Sequence, residues 1–234
     1  DGTFLYTDKT PRLVTTPGAW AYVKISEGCS HRCGFCAIPL IKGPYASRSM
    51  ASVVREVRTL ARLGVREVDL VSHDSTWFGR DRGLADGLAK LIERLAAVDG
   101  IAWVRFLYGY PEEVTGRLLE AMAGPKVCRY LDIPFQHSDP ALIKAMRRGL
   151  DGPRALRLLE GIRRKLPGVA VRTSLIVGFP GEGEREFAAL RRFVEETGYD
   201  HLGVFTYSPE RGTPAFSLQD ARPAADKEAR RAEI

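Results

Sequence analysis

Three of the four cysteines in the 234-residue chain lie within eight residues, in the stretch EGCSHRCGFC (27–36). Their spacing is Cys29-x-x-x-Cys33-x-x-Cys36, and the fourth cysteine, Cys128, lies far along the chain. A structural zinc site usually needs four closed ligands, commonly from two pairs of cysteines. Three thiolates instead suit a four-iron cluster whose fourth iron keeps an open position. The motif therefore indicates reactive metal chemistry rather than a structural site.

Neither remaining candidate completes a four-ligand zinc site. Cys128 precedes the fourth predicted strand, so we expect it at the opposite end of the fold, as a small buried hydrophobic residue. His31 lies between two of the cysteines on a tight loop. A lone histidine there is expected to contact backbone or solvent rather than a metal.

Composition is typical of an intracellular α/β protein. Apolar residues make up 44% of the 25.9 kDa chain, enough for one domain with a sizeable core. No run of about eighteen apolar residues is present, and the first residues lack the apolar segment of a signal peptide. The net charge of +6 mildly favours an acidic or RNA-rich partner. Because clustered thiols favour metal chemistry in a reducing compartment, we expect the protein to be cytoplasmic. We also expect a monomer with no membrane segment.

Short β-branched and aromatic runs alternate with helical patterns along most of the chain. Strands are predicted at 21–26, 67–74, 102–111, 130–135, 171–179 and 201–208. Helices are predicted at 49–64, 84–100, 114–124, 140–149, 153–168 and 184–198. The first helix has Ser49 as its expected N-cap and Gly64 as its expected C-terminal stop. The nearly continuous apolar strands indicate a parallel sheet buried on both faces. We therefore predict an α/β fold with a partial (β/α)6 TIM-like barrel.

The cysteine motif resembles the signature of the radical S-adenosylmethionine (SAM) enzymes, with Phe35 just before the last thiol. The resemblance implies that Cys29, Cys33 and Cys36 hold a [4Fe–4S] cluster, whose fourth iron is chelated by the amine and carboxylate of S-adenosylmethionine. It also implies cleavage of that cofactor to a 5′-deoxyadenosyl radical, and hence a low-potential electron donor as a partner. The partial (β/α)6 barrel of that superfamily agrees with the predicted units.

From about residue 18 onward, further stretches resemble methylthiotransferases of the MiaB/RimO type. They are YVKISEGCSHRCGFCAIPLIKGPYASRS, RFLYGYP, YLDIPFQHSDPALIKAMRRG, RTSLIVGFPGE and FTYSPERGTPAF. IPFQHS and AMRRG are similar to the RimO branch, which places a methylthio group on the aspartate β-carbon of a small-subunit ribosomal protein. SHDSTWFG (72–79) resembles the family's SQDTTAYG but has His73 where glutamine is usual, so a contact made by that glutamine does not carry over.

The same resemblance implies domains that these residues do not supply. Family members carry an N-terminal domain whose three cysteines hold a second, sulfur-delivering [4Fe–4S] cluster, and a C-terminal β-barrel that binds the substrate. We expect 1–20 to be a linker from the upstream domain, 21–216 the radical SAM core, and 217–234 a helical linker towards the substrate-binding domain. Such a core is expected to bind S-adenosylmethionine without completing methylthiolation alone.

Polar residues at or near the strand ends are candidate cofactor contacts. Together with Phe35 they are Asp74, Ser75, Arg105, Gln136, His137, Arg172, Ser174 and Gly178. Each has a structural alternative: a helix-initiating turn at 74–75, an ion pair inside the barrel for either arginine, and a cap of the next helix at 136–137. By resemblance, Gly178 lets the adenosine approach the backbone, and simple loop punctuation is its alternative.

Two other functions stay open at this point. A transfer-RNA methylthiotransferase performs the same chemistry on an adenosine base, for which Trp77 and Phe78 offer a stacking face. A non-catalytic, metal-stabilised binding module has neither affinity for S-adenosylmethionine nor a low-potential redox step. An aspartate substrate instead brings a carboxylate that needs a cation, and His137 and Arg105 are the candidates.

Overall fold

The computed structural model describes residues 4–219 and 222–234. The strands in this part of the chain are β1 (Trp20–Lys24), β2 (Ser26–Glu27), β3 (Ala46–Ser47), β4 (Glu67–Val71), β5 (Trp103–Phe106), β6 (Tyr130–Asp132), β7 (Ala170–Val177) and β8 (His201–Thr206). The helices are α1 (Ile38–Lys42), α2 (Met50–Arg62), α3 (Gly87–Ala96), α4 (Gly116–Met122), α5 (Pro140–Ala145), α6 (Gly152–Lys165), α7 (Glu184–Thr197) and α8 (Ala224–Glu233).

Six of these strands, all but β2 and β3, pair in parallel and follow one another in chain order. β1, β4 and β5 pair in one sheet, and β6, β7 and β8 pair in another. A parallel bridge between Val104 and Val127 joins the two, with the Val104 amide 2.8 Å from the Lys126 carbonyl. Within the described residues no ladder joins β1 to β8. The prediction of an α/β partial barrel is therefore confirmed.

The strands are not buried on both faces, which corrects the expectation from their apolar runs. In β7, Val171 and Leu175 are buried beneath the helices, whereas Arg172 and Ser174 on the opposite face are partly exposed. Because the barrel is incomplete, this inner face borders an open lumen rather than a second layer of helices. The inner positions of β7 accordingly include polar Arg172 and Ser174 beside Ile176.

Helix α2 shows how local sequence fixes the elements around the sheet. The Ser49 side chain accepts a hydrogen bond from the Ser52 amide, and Gly64 after the helix has φ +95°. Val53 and Val57 on one face are fully buried against the sheet. Each such side chain contributes about 1.5–3 kcal/mol through removal of apolar surface from water. The predicted cap and stop are therefore confirmed.

The outer edge of β1 has no neighbouring strand among the described residues, and side chains occupy its carbonyl groups. Thr16 Oγ1 donates to the Trp20 carbonyl. Arg12 Nη2 donates to the Tyr22 carbonyl at 2.9 Å, and Arg48 Nη1 donates to the Lys24 carbonyl at 2.7 Å. These alternate residues are the ones whose carbonyls point away from β4, so the edge acceptors are satisfied without another strand.

The segments outside the predicted core both contact the barrel. Before β1, the Asp8 carboxylate accepts from Arg55 of α2 at 2.8 Å. After β8, α8 packs on the ends of β7 and β8 through Lys227 and Arg230, which are both buried. The linker boundaries at residues 20 and 217 stay a prediction. None of the helices in the described residues is both long and apolar enough to cross a bilayer.

Candidate functional site

The cysteine loop leaves the carboxyl end of β1 and is closed by a short antiparallel pair. β2 pairs with β3, Ser26 opposite Ser47 and Glu27 opposite Ala46, so the chain between them is held at both ends. Gly28 makes this closure possible. It has φ +70°, and a Cβ there would lie 2.2 Å from the Pro44 carbonyl oxygen. Only glycine fits this close approach.

A second glycine fixes the loop between its last two thiols. The Gly34 amide donates to the Met146 carbonyl at 2.8 Å, and the Gly34 carbonyl accepts from the Ala215 amide at 2.7 Å. A Cβ on Gly34 would lie 2.7 Å from the Ala145 carbonyl oxygen. The loop is thus clamped between the end of α5 and a 3₁₀ turn at Pro214–Ser217.

The loop lines a cavity of about 150 Å³ at the carboxyl ends of the strands. Six of the predicted site residues lie around it: Cys29, Cys33, Phe35, Cys36, Asp74 and Gln136. The three thiols are free. Burial raises the pKa of the Cys29 thiol to about 11 and also raises that of Cys36. Both thiols therefore favour the protonated form at neutral pH, and bound metal would offset the cost of burying their charge.

The donor set fits an iron–sulfur cluster. Soft thiolates are the ligands such clusters use, and three of them leave one iron free. Among residues 4–219 and 222–234, no three His, Cys, Asp or Glu side chains converge closely enough to hold a single metal ion. The cavity between the thiols has room for several water-sized atoms.

Strained backbone surrounds this cavity. Tyr108 has φ +59° and Gln136 has φ +72°, and both line it. Arg147, with φ +54°, immediately precedes Arg148, which lines it as well. A left-handed conformation costs a non-glycine residue about 1–3 kcal/mol and is found most often at functional sites. The strain indicates that the positions of these side chains matter more here than local stability.

A stack of planar side chains forms one wall, and the sequence did not predict it. His31 stacks on Tyr110 with ring centroids 3.8 Å apart, and its Nε2 lies 2.6 Å from an Asp74 carboxylate oxygen. The Arg148 guanidinium also lies over the Tyr110 ring, 3.9 Å from its centroid. The expectation that His31 contacts backbone or solvent was wrong. Its partners are distant in sequence, so no local pattern could reveal them.

Two predicted serines lie beside the cavity rather than on its surface. Ser75 donates its hydroxyl to the Leu107 carbonyl, and its amide donates to the Tyr108 carbonyl at 2.8 Å. It therefore ties the end of β4 to the end of β5. Ser174 lies on the inner face of β7, and its carbonyl accepts from the Gln136 amide at 2.9 Å. Both serines support the wall through backbone contacts.

Both predicted arginines form ion pairs inside the barrel, which was the structural alternative for each. Arg105 lies 2.9 Å from Glu67 and 3.4 Å from Asp69, and Arg172 reaches both oxygens of Asp132 at 3.1 Å. Burial, then the neighbouring Glu67 carboxylate, raises the pKa of Asp69 to about 6. These contacts match the ion-pair alternative, and a cofactor contact by either arginine stays a prediction.

Cys128 lies at the amino-terminal end of β4, as its position in the sequence predicted. Its Sγ is 3.9 Å from Glu67 Oε1, in the first residue of that strand. Burial raises the pKa of its thiol to about 11. It is only partly buried and its neighbour is a carboxylate, so it is not the purely apolar residue expected.

His137 and Gly178 belong to a second group of residues, which we call the Glu182 cluster: Glu182, His137, Gly178 and Arg230. Glu182 accepts from Gly178 N at 3.0 Å and from Arg230 Nη1 at 2.5 Å. His137 Nδ1 accepts from the Asp139 amide at 3.0 Å, so Nε2 carries the proton and donates to Glu182 at 3.2 Å.

The Glu182 cluster is closed to solvent. Burial alone would raise the pKa of Glu182, yet the hydrogen bonds from His137, Gly178 and Arg230 hold it below its ordinary value. Gly178 is covered by α8, because a Cβ there would lie 2.4 Å from Lys227 Cγ. Neither His137 nor Gly178 lines the thiol cavity, and their contact with the cofactor stays a prediction.

Comparisons with known proteins agree with this geometry. The family model described as the Radical SAM superfamily matches residues 23–194. The chain is 47% identical over 232 residues to ribosomal protein uS12 methylthiotransferase RimO of Koribacter versatilis, covering 99% of this chain and 46% of that protein. The protein of the same description from Solibacter usitatus is 48% identical over 218 residues, covering 92% and 47%. The chain thus spans about half the length of the curated relatives it matches.

Solved structures share the fold at low sequence identity. The radical S-adenosylmethionine methyltransferase TsrM from Kitasatospora setae, with cobalamin and a [4Fe–4S] cluster bound, matches with a TM-score of 0.70 and 18% identity, covering 88% of this chain and 42% of that one. Coproporphyrinogen III oxidase (HemN) from Escherichia coli matches with a TM-score of 0.68 and 19% identity, covering 92% and 50%. These similarities support the partial barrel.

Proposed function

The chain belongs to the radical SAM superfamily, and we propose that it is the catalytic core of a RimO-like methylthiotransferase that modifies an aspartate β-carbon of ribosomal protein uS12. The observation that carries the proposal is the convergence of Cys29, Cys33 and Cys36 on one cavity at the carboxyl ends of the strands. The identity of about 47% to proteins named as uS12 methylthiotransferases supplies the substrate.

The residues around the cavity have distinct roles in this proposal. The three thiols are the ligands of a [4Fe–4S] cluster, which together with S-adenosylmethionine supplies one-electron chemistry able to remove hydrogen from an unactivated carbon. Phe35 gives the cavity an apolar wall beside Cys36. The Asp74 carboxylate, which accepts from the Thr76 amide at 2.9 Å and lies 2.6 Å from His31 Nε2, would pair with the methionyl ammonium.

The structure offers little support for an adenosine base as the substrate. Phe78 is only 1% exposed, so it presents no stacking face. The Arg80 guanidinium lies 4.6 Å from the Trp77 ring centroid, and His31 contacts that ring edge-on. The two aromatic residues that favoured transfer RNA are therefore already engaged within the chain.

The two residues predicted to pair with the carboxylate of the substrate aspartate already have partners within the chain. His137 is buried in the Glu182 cluster and Arg105 is paired with two carboxylates, so neither candidate is free. We propose that substrate recognition and sulfur supply depend on regions like those the longer relatives carry, including a second [4Fe–4S] cluster. A low-potential electron donor completes the requirements.

The cluster assignment is tested by anaerobic reconstitution with iron and sulfide. We expect the wild-type chain and Cys128→Ala to take up four irons, and Cys29→Ala, Cys33→Ala and Cys36→Ala to lose the visible absorption of the cluster. S-adenosylmethionine should then change the electron paramagnetic resonance signal, and dithionite should release 5′-deoxyadenosine. A cluster that persists in Cys33→Ala contradicts the ligand assignment.

The substrate is tested with the core placed in a full-length methylthiotransferase of this type. Ribosomal protein uS12 and transfer RNA are offered under identical reducing conditions. We expect a mass increase of about 46 Da on uS12, which is SCH3 replacing H, because the radical cofactor removes the hydrogen. The same increase on transfer RNA, with none on uS12, would overturn the proposal.

A further inference from the structure

We propose that Arg148 is a positioning residue that sets the reduction potential of the cluster, by donating a charged N–H···S hydrogen bond to the ligand Cys33. The inference rests on the proposed function, because it requires the three thiols to hold an iron–sulfur cluster. It adds a residue that neither the cysteine motif nor the strand-end candidates include.

The guanidinium of Arg148 is held on three sides. Nη1 lies 3.6 Å from Cys33 Sγ, and Nη2 donates to the Pro134 carbonyl at 2.8 Å. The guanidinium carbon lies 3.9 Å from the centroid of the Tyr110 ring, and that ring also stacks on His31. Three different kinds of contact thus hold the Arg148 side chain in the orientation that brings Nη1 to the sulfur.

The backbone ties Arg148 to the cysteine loop. The Arg148 amide donates to the Ile143 carbonyl at 2.9 Å, and the carbonyl of Met146 in the same turn accepts from Gly34. Between them, Arg147 has φ +54°. The turn that carries Arg148 is therefore hydrogen-bonded to the loop that carries Cys33.

The charge of Arg148 differs from that of other arginines in the barrel. Arg105 and Arg172 are each paired with carboxylates. The recorded contacts of Arg148 within the described residues are a sulfur, a carbonyl and a ring, with no carboxylate among them. Its positive charge is thus directed at the thiol cavity instead of being offset by an ion pair.

The expected effect has a definite sign. Hydrogen bonds to the sulfurs and nearby charge are among the determinants of iron–sulfur potentials. Reduction adds negative charge to the thiolate-bound group, and a cationic donor stabilises the more negative state to a greater extent. Arg148 therefore makes the cluster easier to reduce, which matters for an enzyme whose first requirement is a low-potential electron.

The test compares four reconstituted proteins with equal iron content and no S-adenosylmethionine. Reduction is followed by paramagnetic resonance during a redox titration. In Arg148→Met, which keeps length but loses charge and donors, we expect the equilibrium constant for one-electron reduction to fall about tenfold, or 59 mV. Arg148→Lys, which keeps charge without the planar fork, should fall by less. Arg147→Met loses the same charge at the exposed neighbouring position and should match the wild type.

Each outcome bears on one proposal. If the wild-type chain takes up no cluster, the proposed function fails and not the role of Arg148 specifically. If all four proteins load iron and Arg148→Met keeps the wild-type potential, only the role of Arg148 is overturned. An equal shift in Arg147→Met would also overturn it, because net charge would then be the cause. If Arg148→Met and Arg148→Lys both fail to load iron, Arg148 is needed to assemble the site and the proposal is again rejected.

Discussion

The thiol cavity and the Glu182 cluster lie side by side at the strand ends, but their buried ionisable groups are stabilised to different extents. They are separated by a single peptide bond: Gln136 lines the cavity, while His137 turns into the cluster and is fully buried. The left-handed backbone at Gln136 accompanies this change of direction. In the cluster every polar group named above has a partner, whereas the cavity has three thiols that form no disulfide and strained residues around it.

This difference distinguishes residues that stabilise the fold from residues that we expect to bind a cofactor. Buried charge is tolerated in the Glu182 cluster because hydrogen bonds compensate it within the chain. In the cavity the burial of Cys29 and Cys36 outweighs their backbone hydrogen bonds and the charge of Arg148, so their pKa values are raised. Substitutions in the first region should therefore change stability, and substitutions in the second should change cofactor binding.

The largest expected effect on stability comes from Glu182→Gln. This change removes the charge opposite buried Arg230, and breaking one side of a buried pair costs about 3–5 kcal/mol. Denaturant unfolding of the iron-free protein measures it. The matched control is Glu184→Gln, because Glu184 pairs with the same arginine but is 84% exposed, and such pairs contribute at most about 1 kcal/mol. Equal losses in both variants would remove the distinction between the two regions.

A smaller loss is expected from Gly34→Ala in the cysteine loop. The added Cβ meets the Ala145 carbonyl oxygen at 2.7 Å, and such overpacking costs about 1–3 kcal/mol. Iron uptake should fall as well, since the loop shifts. Gly161→Ala is the control: nothing lies within 4 Å of its added Cβ, and in the interior of α6 alanine should stabilise by about 0.5–1 kcal/mol. Unfolding midpoints and iron counts of both variants provide the check.

Cys33→Ala should change the stability of the iron-free chain by less than about 1 kcal/mol. Its recorded side-chain bond is a weak one to Arg148, and sulfur is a poor acceptor. The same variant should lose the cluster entirely, so the effect on iron is large where the effect on folding is small. A loss of stability comparable to that of Glu182→Gln would show that the thiol has a structural role.

The smallest expected effect is the response to mild acid. The folded pKa of Glu182 lies below its ordinary value of 4.5, so its contribution is complete above that value and is lost as the pH falls through the folded pKa. The stability difference between the wild type and Glu182→Gln should therefore be constant from about pH 8 to pH 5 and shrink below pH 4.5. A difference that shrinks between pH 7 and pH 6 would contradict the lowered pKa.

Periodicity in the sequence predicted the main strands and helices but not the short elements. The predicted strand at 102–111 ends at Phe106 in the structure, because the backbone leaves the extended conformation and is left-handed at Tyr108, with φ +59°. The two-residue strands β2 and β3 are too short to leave a periodic pattern. They matter nevertheless, since they close the cysteine loop. Helix α1 was also missed, because none of its residues is buried and no amphipathic face is needed.

Within the site, spacing predicted the thiols and failed for long-range partners. Cys29, Cys33 and Cys36 are close in sequence, so their convergence could be inferred directly. Gln136 and His137 were predicted to act together, yet the backbone turn at Gln136 separates them. Arg148 reaches Cys33 across 115 positions, and only the folded chain brings them together.

The covered edge of β1 has a consequence for how the molecule behaves among its own copies. A strand with a row of vacant carbonyls tends to recruit a strand from another molecule, which leads to dimers or aggregates. Here the hydroxyl of Thr16 and the guanidinium groups of Arg12 and Arg48 already occupy that row. A foreign strand that paired with this edge of β1 would therefore have to displace these three side chains.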